Sequence, residues 1–300
     1  MPTDPPSPTR WILLHGLFGS PHSWQDAARA FLTRERVLPL WLPNHGQGPK
    51  GAFHTLDALA DALLEAYPNA FAQEEKAPVL CGYSLGGTLA LRLAQRLPQP
   101  PAAVLAVDAY LPGQQYPKAL TRFLLAVAQQ MAPLQDHQFE SPHQLEQALR
   151  NQGIDPTTAH AIASAYPDGP CALHLQLGPI AEYLQRALPT NAPSPTAAQG
   201  PLGIPHHPIR PTIPMNAPIH APLLYRGAAS SIHSRHTDEE TLRSLSPTVR
   251  RVLVPHTTHA SIAQALLDEQ TVAWLRKAAS APVHEHNSLP PADHSTQSAL

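Results

Sequence analysis

VLCGYSLGGTLALRLAQRL, residues Val79 to Leu97, joins two kinds of pattern around one serine. Val79, Leu80 and Cys81 form an apolar run that reads as a buried strand. Leu89 to Leu97 carry apolar residues at helical spacing. Gly82-Tyr83-Ser84-Leu85-Gly86 stands at the join. One reading is a glycine-rich turn with an incidental serine. The other is a nucleophile elbow, in which a sharp strand-to-helix turn exposes a serine hydroxyl at the top of a sheet. Gly-x-Ser-x-Gly is a weak pattern alone, but a preceding strand and a following helix are the context the elbow requires.

The same alternation extends on both sides. Strands are expected at RWILLHG (Arg10 to Gly16), RVLPLWLP (Arg36 to Pro43) and AAVLAVDAY (Ala102 to Tyr110). Helices are expected at PHSWQDAARAFLT and TLDALADALLEAYPNA, the second with Thr55 as N-cap. Near-continuous apolar strands alternating with helices imply a mostly parallel sheet covered by helices on both faces. Residues 112–186 break the pattern. They read as helices with no evident strand, with Ser141 and Asp155 as N-caps. Such an insertion after a strand's carboxyl end would lie over the ligand face, as a helical cap. Residues 189–222 contain ten prolines and read as a linker or surface loop. Strands return at APLLYRGAASS and RRVLVPHTTH, and ASIAQALLDEQTVAWLRKAA reads as a last helix. The expected organisation is a core at 10–111 and 220–279, a cap at 112–186, a Pro-rich loop at 187–219, and disordered tails at 1–9 and 280–300.

Composition excludes several classes. The 300 residues carry a formal net charge of −2 and only 14% charged residues, so no basic nucleic-acid stripe is present. No stretch is long and apolar enough for a membrane span, and MPTDPPSPTR lacks the apolar core of a signal peptide. A cytoplasmic protein is the expectation. Two cysteines, Cys81 and Cys171, make no disulfide framework. His206 and His207 have no spaced partner, so no metal site is expected, and acyl transfer at a serine–histidine site would require no cofactor.

A serine hydroxyl becomes a nucleophile when a base takes its proton. With a serine elbow the base follows late in the chain, after the acid. RRVLVPHTTHASI offers His259, where the loop has left its strand, and His256 at the strand end. His259 is the preferred base; a solvated loop histidine is the bland alternative, since the chain has 18 histidines. The oxyanion needs two N–H donors. Leu85, directly after the serine, supplies one, and the loop LLHGLFGS supplies the other, at Leu17 with Phe18 as runner-up. His15 and His45 read as structural, bonding loop backbone or shaping the turn NHGQG. Asp57 and Asp61 read as solvated on a helix exterior.

LLHGLFGS, WLPNHGQG, GYSLGG and PHTTHA, in that order, resemble the α/β-hydrolase superfamily. The similarity covers residues 10–110 and 220–279, with 112–186 in the cap position. It is strongest to small capped members: carboxylesterases, the pimeloyl carrier-protein methyl ester esterase of biotin synthesis, and the menaquinone-pathway synthase that eliminates pyruvate. Where those families have an arginine or a hydrophobic residue after SLGG, this chain has Thr88, which counts against the lyase type. The resemblance also implies an acid three or four residues past a glycine after the penultimate strand. Here that run is Gly227-Ala228-Ala229-Ser230-Ser231, and serine stands in its place. Asp108 at the end of AAVLAVDAY is the first substitute, Asp238 in SRHTDEE the second, and a dyad without an acid the third.

The expectation is therefore an α/β-hydrolase fold. In it Ser84 is nucleophile, His259 base and Asp108 acid, with Leu17 and Leu85 at the oxyanion. The expected substrate is a carboxylic ester or thioester, on a small molecule or an acyl carrier. Two alternatives stand beside it: a lyase or C–C bond hydrolase, with Arg92 or Arg122 binding a carboxylate, and a non-catalytic binding protein that kept the elbow.

Overall fold

The strand reading of RWILL is realised as β1, Arg10–Leu14, and every strand of the main sheet runs parallel to it. The computed structural model describes residues 8–74, 76–135, 137–187 and 213–280. Residues 1–7 and 281–300 of the expected tails, His206 and His207, and residues 188–212 of the Pro-rich loop lie outside them; Thr9 O accepts from Arg36 N–H and Ser280 ends a helix, so the tails are shorter than expected. In chain order β1 is followed by α1 (Gln25–Phe31), β2 (Arg36–Leu40), α2 (Leu56–Ala66), α3 (Pro68–Phe71), β3 (Val79–Tyr83), α4 (Leu85–Arg96) and β4 (Ala103–Val107). Then come α5 (Lys118–Met131), β5 (Gln138–Phe139), α6 (Pro142–Asn151), α7 (Pro156–Ala163), β6 (Cys171–Ala172) and α8 (Leu177–Arg186). The chain closes with β7 (Leu223–Ala228), α9 (Ile232–Arg235), α10 (Glu239–Leu245), β8 (Val249–Val254) and α11 (Glu269–Ser280).

The sheet order is β2-β1-β3-β4-β7-β8. The chain steps outward from β1 to β2, then returns to place β3 on the other side of β1. Loops leaving β1 and β3 therefore diverge at their carboxyl ends and open a crevice between them. Those loops are His15–Ser20 and the Ser84 turn.

Alternate residues of each strand enter opposite cores. Ile12, Leu14, Leu80, Val104 and Ala106 pack with α2 and α4. Trp11, Leu13, Val79, Cys81 and Leu105 pack toward α1 and α11. A sheet buried on both faces requires this continuous apolarity. The expected caps are formed: Thr55, Ser141 and Asp155 accept from Ala58, Gln144 and Thr157 N–H.

Three expectations need correction. Residues 112–186 contain strands after all: β5 and β6 form a short antiparallel pair, too brief to leave an alternating signature. The run after His259 is not one helix. A 3-10 turn covers Ser261–Ala265, and α11 starts only where Asp268 accepts from Thr271 N–H at 2.7 Å. Asp57 and Asp61 are not simply solvated. Arg92 Nε and Arg96 Nη2 each approach one of them to 2.5 Å, clamping α2 to α4.

Candidate active site

The elbow is formed. Ser84 has φ 53° and ψ −120°, a region that costs a non-glycine residue about 1–3 kcal/mol. Neighbouring backbone holds it there: Ser84 N–H donates to Val107 O at 2.9 Å, and Ser84 O accepts from Thr88 N–H at 3.0 Å. Two glycines make room. A Cβ on Gly82 would overlap the backbone of Gly86, and one on Gly86 would overlap the carbonyls of Leu14 and His15. The start of α4 thus sits directly on the ends of β1 and β3, with Ser84 half-buried above them.

Asp108 follows β4 immediately. The register pairs Tyr83 with Val107, so Asp108 lies beside the elbow. Its side chain is 0% exposed, and its carboxylate is hydrogen-bonded at both oxygens. Oδ2 accepts from His259 Nδ1 at 2.7 Å; Oδ1 accepts from Ala228 N–H at 3.0 Å and Ser234 Oγ at 2.7 Å. Burial works against its ionisation, but the hydrogen bond and charge of His259, with Ser231 and His233, hold the carboxyl below its ordinary value. The loop after β7, where the resemblance puts an acid, supplies serines that bond this site instead. Ser234 reaches Asp108, and Ser231 Oγ lies 3.0 Å from His233 Nδ1.

The other candidates lie apart. Asp238 is exposed and caps α10 through Thr241 N–H. His256 is exposed at the turn after β8. His259 is fixed from a side that sequence reading missed. Tyr83 OH donates to His259 O at 2.7 Å, and the two rings stack with centroids 5.2 Å apart. His233 stacks on the same imidazole at 4.0 Å and 12°. Tyr83 stands at a variable position of the motif and His233 in a polar loop, so neither carried a signal.

The loop after β1 separates the two oxyanion candidates. Phe18 N–H donates to His45 Nε2 at 3.1 Å and is thereby engaged. Leu17, beside it, borders the cavity together with Leu85. His45 can accept because it stays neutral: burial lowers its pKa to about 4, with Lys50 adding to the shift and the Pro43 carbonyl opposing it. His15 is likewise buried and pushed well below its ordinary value; its Nε2 accepts from Leu42 N–H at 3.1 Å. Both act on loop backbone, as the sequence reading expected.

Ser84 and His259 border one cavity of about 580 Å³. Its walls include Leu120, Phe123, Leu124 and Val127 of α5, Ile162 of α7 and Leu184 of α8. Among the described residues no lysine or arginine lines it. Arg92 is fully buried elsewhere, bonded to Asp57 and to the carbonyls of Ile213 and Pro214. Arg122 is exposed and lies outside the lining. Asp108, His233 and His259 also bring three metal-ligating atoms within 4.8 Å of one another.

Sheet order, elbow and crevice define an α/β hydrolase. The chain belongs to the thioesterase-domain family, which it matches over residues 10–168. Curated relatives match a shorter stretch. The sn-1-specific diacylglycerol lipase ABHD11 of Mus musculus is 35% identical over 100 residues, 32% of this chain and 31% of that protein. The pimeloyl-[acyl-carrier protein] methyl ester esterase of Aromatoleum aromaticum is 36% identical over 96 residues, 32% of this chain and 35% of that one. The chain thus spans about a third of these relatives' length. Among solved structures, a marine microorganism esterase superposes with TM-score 0.62 at 19% identity, covering 90% of this chain and 94% of its own. MenH from S. aureus superposes with TM-score 0.60 at 17% identity, covering 92% and 96%. At these identities the likeness is one of fold.

Proposed function

We propose that the protein is a serine hydrolase that cleaves a carboxylic ester or thioester through an acyl-enzyme. The observation that carries this reading is the His259–Asp108 hydrogen bond of 2.7 Å at the cavity that Ser84 borders. Asp108 fixes the tautomer with Nδ1–H, which leaves Nε2 free to accept the Ser84 proton. Ser84 Oγ then attacks the carbonyl carbon. The N–H groups of Leu17 and Leu85 stabilise the oxyanion, aided by the start of α4. His259 returns the proton to the departing alkoxide or thiolate, and water attacks the acyl-enzyme by the same route in reverse.

Residues 112–186 serve as the cap that supplies the cavity's apolar wall. That wall suits a neutral acyl or alcohol portion. The relatives named for an acyl-carrier ester and for a diacylglycerol favour a substrate of this kind, carried on a small molecule or an acyl carrier. Lyase or C–C bond chemistry keeps one supporting fact, the likeness of fold to MenH. The absence of a cation from the described lining weighs against a carboxylated substrate.

Hydrolysis of p-nitrophenyl esters and acyl-thioesters of increasing chain length tests the reading. Turnover that rises with chain length and vanishes in Ser84→Ala supports it. Turnover that persists in Ser84→Ala overturns it.

A further inference from the structure

His233 has no place in the Ser84–His259–Asp108 arrangement, yet its ring makes the closest aromatic contact in the site. It lies 4.0 Å from the His259 ring at 12°. Tyr110 backs it at 4.5 Å. The side chain is 7% exposed, and α9, capped by Ser231, fixes its backbone. Its Nδ1 stands 3.0 Å from Ser231 Oγ and 3.8 Å from Asp108 Oδ2, so it does not displace His259 from the carboxylate.

The hydrogen bond from Nδ1 to Asp108 fixes one point of the His259 imidazole, and rotation about that axis is limited only where the ring's faces meet Tyr83, at 5.2 Å, and His233, at 4.0 Å. His259 sits in a loop and its side chain is 34% exposed, so the loop alone gives little restraint. A swing of the ring carries Nε2 away from Ser84, and about 1 Å of misplacement can cost about 100-fold in rate. A flat, rigidly held neighbour removes that freedom.

We propose that His233 is a positioning residue that sets the plane of the His259 imidazole by stacking, and so keeps Nε2 on Ser84. The proposal rests on the acyl-enzyme reading above. The ring suits this place only when uncharged, because a cation stacked on His259 would oppose the imidazolium that forms in turnover. Burial and the neighbouring His259 hold His233 neutral, down to a pKa of about 3, against the pull of Asp108. The other titratable or charged groups around it are Tyr110 beyond β4, His236 on the following turn, and Arg251 of β8, which donates to Ser234 O at 3.0 Å.

The test compares wild type with His233→Phe, His233→Gln and His233→Ala. It uses fluorophosphonate labelling of Ser84, steady-state ester hydrolysis, the pH profile of kcat, and thermal unfolding of each variant. Phe keeps a flat neutral ring; Gln keeps polarity without one. The expected result is a kcat at least tenfold lower in Gln and Ala, with KM within about twofold. Phe recovers most of kcat, and its acidic limb titrates one group, as in wild type. Wild-type rates in both Gln and Ala overturn the proposal, as does Phe falling as low as Ala while still folded. Wild type that labels at Ser84 in those cases leaves the hydrolase reading standing. Folded wild type that neither labels nor turns over ester overturns both.

Discussion

His259 Nδ1 lies 2.7 Å from Asp108 Oδ2, although 151 residues separate them in sequence. The parallel sheet closes that gap. β7 lies beside β4 and β8 beside β7, so the loop after β8 returns over the end of β4. Asp108 is fully buried, and the groups that hydrogen-bond its carboxylate are donors. Asp108→Asn keeps the shape and reverses the preferred tautomer of His259. The expected loss is about 10⁴-fold in kcat, with KM little changed. Asp238→Asn is expected to leave ester turnover within about twofold, because that carboxylate only caps an exposed helix. Steady-state kinetics on the two variants distinguish these outcomes.

His45 acts on the oxyanion loop from behind. It accepts the Phe18 N–H, while Leu17 and Phe18 both border the cavity. His45→Leu frees Phe18 N–H and removes one of the bonds that hold the loop, leaving Tyr166 OH on Phe18 O. A tenfold or greater fall in kcat is expected, by analogy with the 10²–10³-fold cost of deleting one oxyanion donor outright. An unchanged kcat in the folded variant would show that the loop is held without His45.

Stability should fall with mild acid. His15, His45 and His233 are each pushed by burial below the ordinary histidine value. In the unfolded chain all three take up protons near pH 6.5, while the folded chain excludes them. The unfolded state then binds more protons, so stability decreases as pH drops below about 6.5 toward 4. Three groups give a slope of up to about 4 kcal/mol per pH unit. Asp108 adds a separate loss at lower pH, as protonation begins below the unfolded carboxylate value. Urea unfolding at pH 7.5, 6 and 5 measures the slope. His45→Gln should reduce it by about a third.

Arg92 is a structural cation. Its guanidinium joins Asp57 of α2 to the carbonyls of Ile213 and Pro214, where the Pro-rich segment re-enters the described fold. Arg92→Met should cost about 1–3 kcal/mol in stability, because it strands two carbonyls, while Asp57 is partly exposed and keeps Arg96 as a partner. The ratio of turnover on neutral and carboxylated esters should not move. A shift in that ratio would make Arg92 a reader of substrate charge.

Much of this architecture could be read in the sequence because its causes are local. An apolar run before Gly82 and a helical run after Leu85 leave few ways to place Ser84. Thr55, Ser141 and Asp155 announce helix starts by the hydrogen bonds their side chains can make. The short pair of β5 and β6 escaped because two residues carry no period. The clamp of Arg92 and Arg96 on Asp57 and Asp61 escaped because it joins two helices whose relative rotation only packing decides. Tyr83 and His233 escaped for a third reason. Their contacts with His259 depend on where a loop after β8 comes to rest, which no residue type near them encodes.

The central claim is that Ser84, activated by His259 and Asp108, becomes acylated. Its most direct test is fluorophosphonate labelling mapped by mass spectrometry on wild type, Ser84→Ala, His259→Ala and Asp108→Asn. Rapid modification of Ser84 is expected in wild type, with loss of it in the first two variants and marked slowing in the third. A folded wild-type protein that resists the reagent, or that labels equally fast without His259, would contradict it.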